Sequence, residues 1–464
     1  MTLTDRIENS LNLFADFMWG TPTVLLLVGG GLFLTVYSRG QAFRRFGHAI
    51  ALLRGKFSDP ADPGHISHAQ ALSTALSGTL GLGNIAGVAI AISTGGPGAV
   101  FWMWITALIG VTTKFYTATL AVMYRGLDSE GVLRGGPMYV IREGLGRHWQ
   151  PLALLFAVAG MLGTLPVFQA NQLVALLREG MAEPVGLAAA GDSFIFDLAA
   201  SSLIAVLVLL VVAGKIERIG RLTVRLVPFM VTLYLAMTGV ILFHFAEQIP
   251  AVFSLIITDA FTGESVAGGI VGSTIMIGVR RGAFSNEAGI GTESMAHGAA
   301  RTREPVREGV VAMVGPVIDT LIVCSCTAFI ILLTGVWEQA EGIEGISLTA
   351  AAIATVFPAS GLYLLTLMVV LLGFSTMVSF WYYGSKCAGF LFGAHRAHWY
   401  TPVYIVLIIA GTLVSLDLVN GLVIGMYAVM AVPTMISTLL LAPRVNRAAS
   451  RYFAALGAHR FDRS

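Results

Sequence analysis

Apolar positions along the chain fall in long blocks, not in the alternation of a half-buried strand. Eleven candidate spans follow, near residues 17–38, 69–94, 97–124, 150–177, 194–213, 222–245, 265–298, 308–335, 359–385, 401–418 and 420–441. Each approaches the ~20 residues that a helix needs to cross about 30 Å of hydrocarbon. The first block is preceded by a near-neutral segment and has no small-residue cleavage pattern before Arg39, so it reads as a true span and not as a signal peptide.

Composition sharpens this picture. Of 464 residues, 56% are hydrophobic and 12% charged, against roughly 45–50% and 25% in ordinary soluble domains. A soluble enzyme is excluded, and a polytopic membrane protein remains. The net charge of +2 gives no indication of nucleic acid. The three cysteines, Cys324, Cys326 and Cys387, lie in or beside apolar segments, and Cys324 and Cys326 are too close along a helix to face each other; no disulfide framework is implied. Lys and Arg concentrate in alternate connectors, for example Arg39 to Lys56, Arg125 to Arg147, Lys215 to Arg225, Arg301 to Arg307 and the tail from Arg444. By the positive-inside rule those face the cytoplasm, which places the N-terminus outside, the C-terminus inside, and requires an odd span count.

Two stretches are poor helix formers inside apolar blocks. In Ser77-Gly78-Thr79-Leu80-Gly81-Leu82-Gly83-Asn84-Ile85-Ala86-Gly87, each glycine weakens a helix by roughly 1 kcal/mol relative to Ala. An opened helix is expected here in preference to a glycine packing face from Gly83 to Gly87. No strand precedes the glycines, so a nucleotide-binding loop does not fit. Within hydrocarbon, freed backbone is tolerated only where it lines a cavity or coordinates something. A second break is expected after Gly268, Gly269 and Gly272, around Gly278-Val279-Arg280-Arg281-Gly282 and Phe284-Ser285-Asn286-Glu287-Ala288-Gly289-Ile290-Gly291. The two adjacent arginines must face protein, water or the cytoplasmic edge. The breaks are five spans apart, so the two segments cross in opposite senses, as in an inverted five-plus-five repeat with substrate at the midplane. This divides the chain into residues 1–68 (an extra helix and basic connector), 69–245 and 246–441 (the two repeats), and 442–464 (a basic tail).

Leu80 to Val88, Gly95-Gly96-Pro97-Gly98-Ala99-Val100-Phe101-Trp102-Met103-Trp104, Gly135-Gly136-Pro137-Met138-Tyr139, Phe284-Ser285-Asn286-Glu287-Ala288-Gly289, Asp319-Thr320 and Phe374-Ser375-Thr376 together resemble the alanine/glycine:cation symporters, also called the sodium:alanine symporter family. The resemblance covers residues 70–390 closely. It implies an all-α, LeuT-type fold with one extra N-terminal helix in the cytoplasmic membrane. It also implies sodium-coupled uptake of alanine, glycine or a similar small neutral amino acid, with proton-coupled carriage of a somewhat larger one as the alternative. No cofactor is expected beyond sodium as the coupling ion, and oligomeric state is left open.

A zwitterion needs donors for its carboxylate and acceptors for its ammonium, and unwound backbone supplies both. Thr79, Gly81, Gly83 and Asn84 are therefore candidate substrate contacts, with Thr274, Met276 and Gly278 facing them. For Asn84 an interhelical hydrogen bond is an equal alternative. Phe168 and Gln169, after the helix-bending Pro166, are further cavity candidates. By resemblance, Ser375 and Thr376 complete a sodium site with carbonyls near Ser77 and Leu80; a hydroxyl bonded back to its own helix is the plainer account. Relatives usually carry Trp where this chain has Phe380, which widens the pocket and removes an N–H donor. They also carry Asn at Pro166, Glu at Thr117, a small residue at Glu293 and Glu at Ser385.

Among intramembrane charges, Lys114 is expected to pair with Glu293 or Glu287 as a gate or lock, and Asp319 to bond to hydroxyls such as Thr320. His65, His68, His297, His395 and His398 show no convincing ligand spacing and read as interfacial. The arginines of the tail read as topogenic. No nucleophile–base set or metal motif appears in a credible context, so enzymatic chemistry has no support.

Overall fold

The computed structural model describes residues 3–188, 194–261, 270–339, 345–413 and 416–458. Two helices, α1 (Leu3–Met18) and α2 (Thr21–Tyr37), are followed by the short α3 (Gln41–Arg44) and α4 (Phe46–Leu53). Next come α5 (His68–Thr79), α6 (Ala86–Gly95) and α7 (Gly98–Met123). A small hairpin, β1 (Gly126–Leu127) with β2 (Leu133–Arg134), precedes α8 (Gln150–Gly163), α9 (Val167–Leu177), α10 (Phe194–Val212) and α11 (Lys215–His244). The second half comprises α12 (Ile249–Phe261), α13 (Ile270–Asn286), α14 (Thr292–His297), α15 (Pro305–Ala312), a π-helical stretch (Val317–Cys324) and α16 (Ser325–Leu333). It ends with α17 (Ile346–Val356), α18 (Gly361–Phe392), α19 (Tyr400–Ala410) and α20 (Leu416–Gly457).

Among the described residues, eight helices are long and apolar enough to cross a membrane, or nine when the bent pair α5–α6 counts as one span. The first of the eight runs from Arg6 to Tyr37, longer than the expected 17–38, and is jointed at Gly20. The seventh and tenth expected spans include residues outside the described ones, as do Gly268 and Gly269. Helix α7 lies at the centre, buried along most of its length and packed by α2, α12, α13 and α15. Gly98 lets it start against the backbone of Asp259 and Ala260, where a Cβ would collide, and the Gly98 N–H donates to Asp259 Oδ2 at 2.7 Å.

The first break is where the glycines place it. Ser67 starts α5 with a reciprocal cap, its hydroxyl accepting from the Gln70 N–H and its own N–H donating to the Gln70 side chain. The helix ends at Thr79, Leu80 leaves the helical region and Gly81 is extended, Leu82–Asn84 form one tight turn, and α6 leaves at 63°. A Cβ on Gly87 would meet nothing, so a Gly83–Gly87 packing face is not what these glycines serve.

The second break falls in the later of its two expected stretches, Phe284–Gly291, and not at Gly278–Gly282. Helix α13 runs unbroken through Gly278 and Gly282, whose missing side chains let it press on Ala99, Trp102, Met103 and Thr106 of α7. The chain turns only after Asn286, where Glu287, Gly289 and Gly291 take φ of 55°, 87° and 99°. A glutamate in the left-handed region is uncommon, and here its carboxylate is held by Thr292 and, at 2.7 Å, by the Tyr427 hydroxyl.

The two broken segments run antiparallel. The start of α5 meets the end of α14 through Glu308, whose carboxylate bonds His68 on one oxygen and His297 on the other at 2.6 Å. The far end of α6, at Gly95, packs on Ile277 of α13. His68 and His297 are therefore buried, at 2% and 1% exposure, and not interfacial as their place along the sequence suggests. Arg125 seals the same end by donating to the carbonyls of Gly298 (2.8 Å), Thr302 (3.0 Å), Pro63 (3.1 Å) and Ala300.

Replacing Glu308 with Ala strands two buried imidazoles at about 1–3 kcal/mol for each orphaned group. The unfolding midpoint of the purified protein should fall clearly, with a smaller fall for Glu308→Gln. An unchanged midpoint for Glu308→Ala would mean that the three side chains do not hold this end together.

Candidate functional site

A cavity of about 170 Å³ opens where the two breaks face each other, well under the ~300–1,000 Å³ typical of drug-sized ligands. One wall is the first break itself, with Gly78, Thr79, Gly81, Leu82 and Gly83. Leu82 and Gly83 head the tight turn, so their N–H groups have no partner within it. Phe168 and Gln169 of α9, Thr376 and Phe380 of α18, Ser285 of α13, Glu287 of the second break and Tyr427 of α20 are among the residues that line the rest. The Gln169 side-chain oxygen is buried without a hydrogen-bond partner among the described residues. Phe380 and Phe284 each lie against the Tyr427 ring, at centroid distances of 5.9 and 5.8 Å.

Of the candidate substrate contacts, the cavity thus brings together Thr79, Gly81, Gly83, Phe168, Gln169, Thr376 and Phe380. Thr274, Met276 and Gly278 are not among its lining, because α13 stays helical there and turns Gly278 onto α7. Asn84 points away from it. Its oxygen accepts from the Gly81 N–H at 2.9 Å, while its amide donates to Asp319 Oδ1 at 2.6 Å and Ser285 Oγ at 3.2 Å. Asp319, fully buried on the π-helical stretch, also accepts from Ser285 (2.9 Å) and Thr320 (2.7 Å). Asn84 is thus the clamp of the break, joining it to both α13 and the eighth span.

The oxygens proposed for sodium sit beside the cavity. The Ser77 carbonyl accepts from Thr376 Oγ1 at 3.1 Å and from Ser375 Oγ at 3.5 Å, and both hydroxyls also reach the Leu372 carbonyl on their own helix. Ser77 Oγ bonds Ser379. Leu80 is buried. A Cβ on Gly81 would sit 3.1 Å from Thr376 Oγ1, which shows how closely the break approaches α18.

Lys114, buried on α7 beside Gly315, makes no direct ion pair with either glutamate expected to be its partner, Glu287 or Glu293. Glu293 instead accepts from Thr117 Oγ1 at 3.0 Å. Tyr427, like Val423 and Ile424 beside it, lines the cavity without having been singled out by any sequence pattern, because α20 carries neither a break nor a motif. Arg280 and Arg281 take one of the settings expected for them: with Asn12, Asp16 and Trp19 they line a neighbouring open vestibule of about 450 Å³. Arg281, Phe284 and Ile424 belong to both spaces.

Comparison with known proteins bears on what this arrangement is. A family model described as the sodium:alanine symporter family matches residues 4–462. An uncharacterized transporter of Haemophilus influenzae is 37% identical over 98% of both chains. The sodium/alanine symporter AgcS of Methanococcus maripaludis is 36% identical over 93% of this chain and 94% of its own. Among solved structures, MhsT in complex with L-phenylalanine superposes with a TM-score of 0.58 at 13% identity, covering 83% of this chain and 98% of its own. That likeness shows the fold, which is LeuT-type.

Asn84 and Gln169 separate two roles in this site. Asn84→Ala uncaps Gly81 and strips Asp319 of a partner, so it should lower both thermal stability and substrate affinity. Gln169→Ala, which only unlines the cavity, should weaken affinity with little change in the melting curve. Equal loss of stability in both variants, by calorimetry alongside ligand binding, would contradict this division.

Proposed function

The chain belongs to the sodium:alanine symporter family, and we propose that it takes up alanine, glycine or a similarly small neutral amino acid together with sodium by alternating access. It is a multi-pass amino acid:cation symporter and not an enzyme. The observation that carries the finer reading is the small cavity between two antiparallel broken helices, walled by glycine backbone on one side and aromatic rings on the other. In this reading the substrate carboxylate takes the N–H groups of Leu82 and Gly83, and the Gln169 oxygen accepts from its ammonium. A short side chain fits toward Phe168, Phe380 and Tyr427. Sodium is a hard cation that favours oxygen ligands. It takes the Ser77 and Leu80 carbonyls with the hydroxyls of Ser375 and Thr376, which turn from their present acceptors to the ion.

Residues 69–245 and 246–441 act as the two repeats. With the Arg-rich end in the cytoplasm of a cell bounded by this membrane, the stapled His68–Glu308–His297 end is the closed inner gate. The vestibule at Arg281 lies on the opposite, outer side, so this is an outward-facing arrangement. One observation favours a second reading, proton coupling: Glu287 places a carboxylate in the cavity wall, hydrogen-bonded among the described residues by the hydroxyls of Thr292 and Tyr427.

Proteoliposomes carrying labelled alanine, glycine, serine or glutamine, with sodium and proton gradients imposed separately, distinguish these. Sodium alone should drive alanine and glycine uptake, and uptake driven by a proton gradient without sodium would give the second reading precedence. Thr376→Ala removes one oxygen from the ion, a contact worth ~1.5 kcal/mol, so half-saturating sodium should rise about tenfold or more. An unaltered sodium dependence in that variant would overturn the ion site.

A further inference from the structure

Away from the cavity, one cluster at the Arg-rich end has the makeup of a metal centre. Glu130, His395 and His398 are exposed, and one ligand atom from each lies within 4.8 Å of the other two. Glu130 sits at the tip of the β1–β2 hairpin between α7 and α8, while the histidines follow the end of α18. More than 260 residues of sequence separate the hairpin from that turn, so the set is invisible to spacing. We propose that these three residues bind a divalent transition metal such as Zn²⁺ and so tie the hairpin to the end of α18.

The donor set defines the class of ion. Two imidazoles and one carboxylate suit Zn²⁺ and its first-row neighbours, whereas Ca²⁺ and Mg²⁺ take oxygen ligands. Three protein ligands leave a fourth, tetrahedral position for water. Bringing all three atoms to the ~2.0–2.2 Å of zinc bonds asks only for rotation of exposed side chains.

The backbones that carry the ligands are already fixed. Asp128 Oδ1 accepts from the N–H groups of Glu130 and Val132, both at 2.9 Å, and Oδ2 accepts from Arg134 Nε at 2.8 Å. The hairpin tip is then joined to the other element directly, since Ser129 Oγ accepts from the Ala394 N–H at 2.8 Å. Gly393, at φ 87°, turns the chain off α18, and the following tight turn sets His395 and His398 three residues apart, where side chains share one face. Their rings stand 6.0 Å apart and nearly perpendicular. The other histidine cluster offers no such site, because both oxygens of Glu308 are already taken by His68 and His297.

The test is isothermal titration of Zn²⁺ into the purified full-length protein, with hydrogen exchange of residues 126–134 followed in parallel. We expect one ion per chain and slower exchange in the hairpin when it binds. His395→Ala and His398→Ala should each weaken binding about tenfold or more, Glu130→Gln should weaken it too, and the double histidine variant should abolish it. Because all three side chains are exposed and none lines the cavity, metal-free uptake should be unchanged, which confirms that the variants fold. Equal Zn²⁺ stoichiometry and affinity in the double variant, or no binding by the unmodified protein, overturns the proposal.

Discussion

Everything in this molecule follows from one constraint: in hydrocarbon, a backbone amide or carbonyl released from a helix must find another partner. Opening the second span at Thr79–Ile85 would be prohibitive without replacements, and the fold supplies them from side chains on distant helices. Thr327 of α16 donates to the Asn84 carbonyl at 2.8 Å, and Thr349 of α17 to that of Ile85 at 3.5 Å. Asn84 returns its own side-chain oxygen to the Gly81 N–H. At the second break Thr434 of α20 donates to the Ile290 carbonyl at 2.9 Å. These hydroxyls are short and buried, so each break is held in one geometry while the groups left over face the cavity.

That arrangement makes the two ends of the molecule unequal. One end is stapled by Glu308 and its two histidines and by the four carbonyls that Arg125 gathers. The other is lined by paired arginines beside an open vestibule. An imidazole–carboxylate network buried this deeply is costly to break piecemeal and cheap to keep whole, which suits an element that separates only when a larger rearrangement moves α5 and α14 together.

How much of this was legible in the sequence depends on whether the signal was local. Glycine is a local signal, and three of them within Gly78–Gly83 marked the first break correctly. The same residue misled at Gly278 and Gly282, where it serves close packing on α7; glycine marks either a bend or a contact, and only the neighbour decides. The stretch around Glu287 was legible as a break but not the positive φ of a glutamate within it, which is held by Thr292 nearby and by Tyr427, 140 positions away. His68, His297 and Glu308 likewise meet only through the fold. Asn84 was legible as important but not as to its direction, since an amide serves a ligand and a neighbouring helix equally well.

In the proposed mechanism, coupling between ion and substrate needs no long pathway. Thr376 is at once part of the cavity wall and a donor to the Ser77 carbonyl, and Gly81, whose N–H is fixed by Asn84, lies against its side chain. An ion that draws the Ser77 carbonyl and the Thr376 hydroxyl together orders the break that presents Leu82 and Gly83 to the substrate. By linkage, a substrate that holds the break in that geometry must tighten the ion by the same factor. Asp319 stabilises the clamp from behind without touching either ligand, so its contribution is to the shared geometry on which both affinities depend.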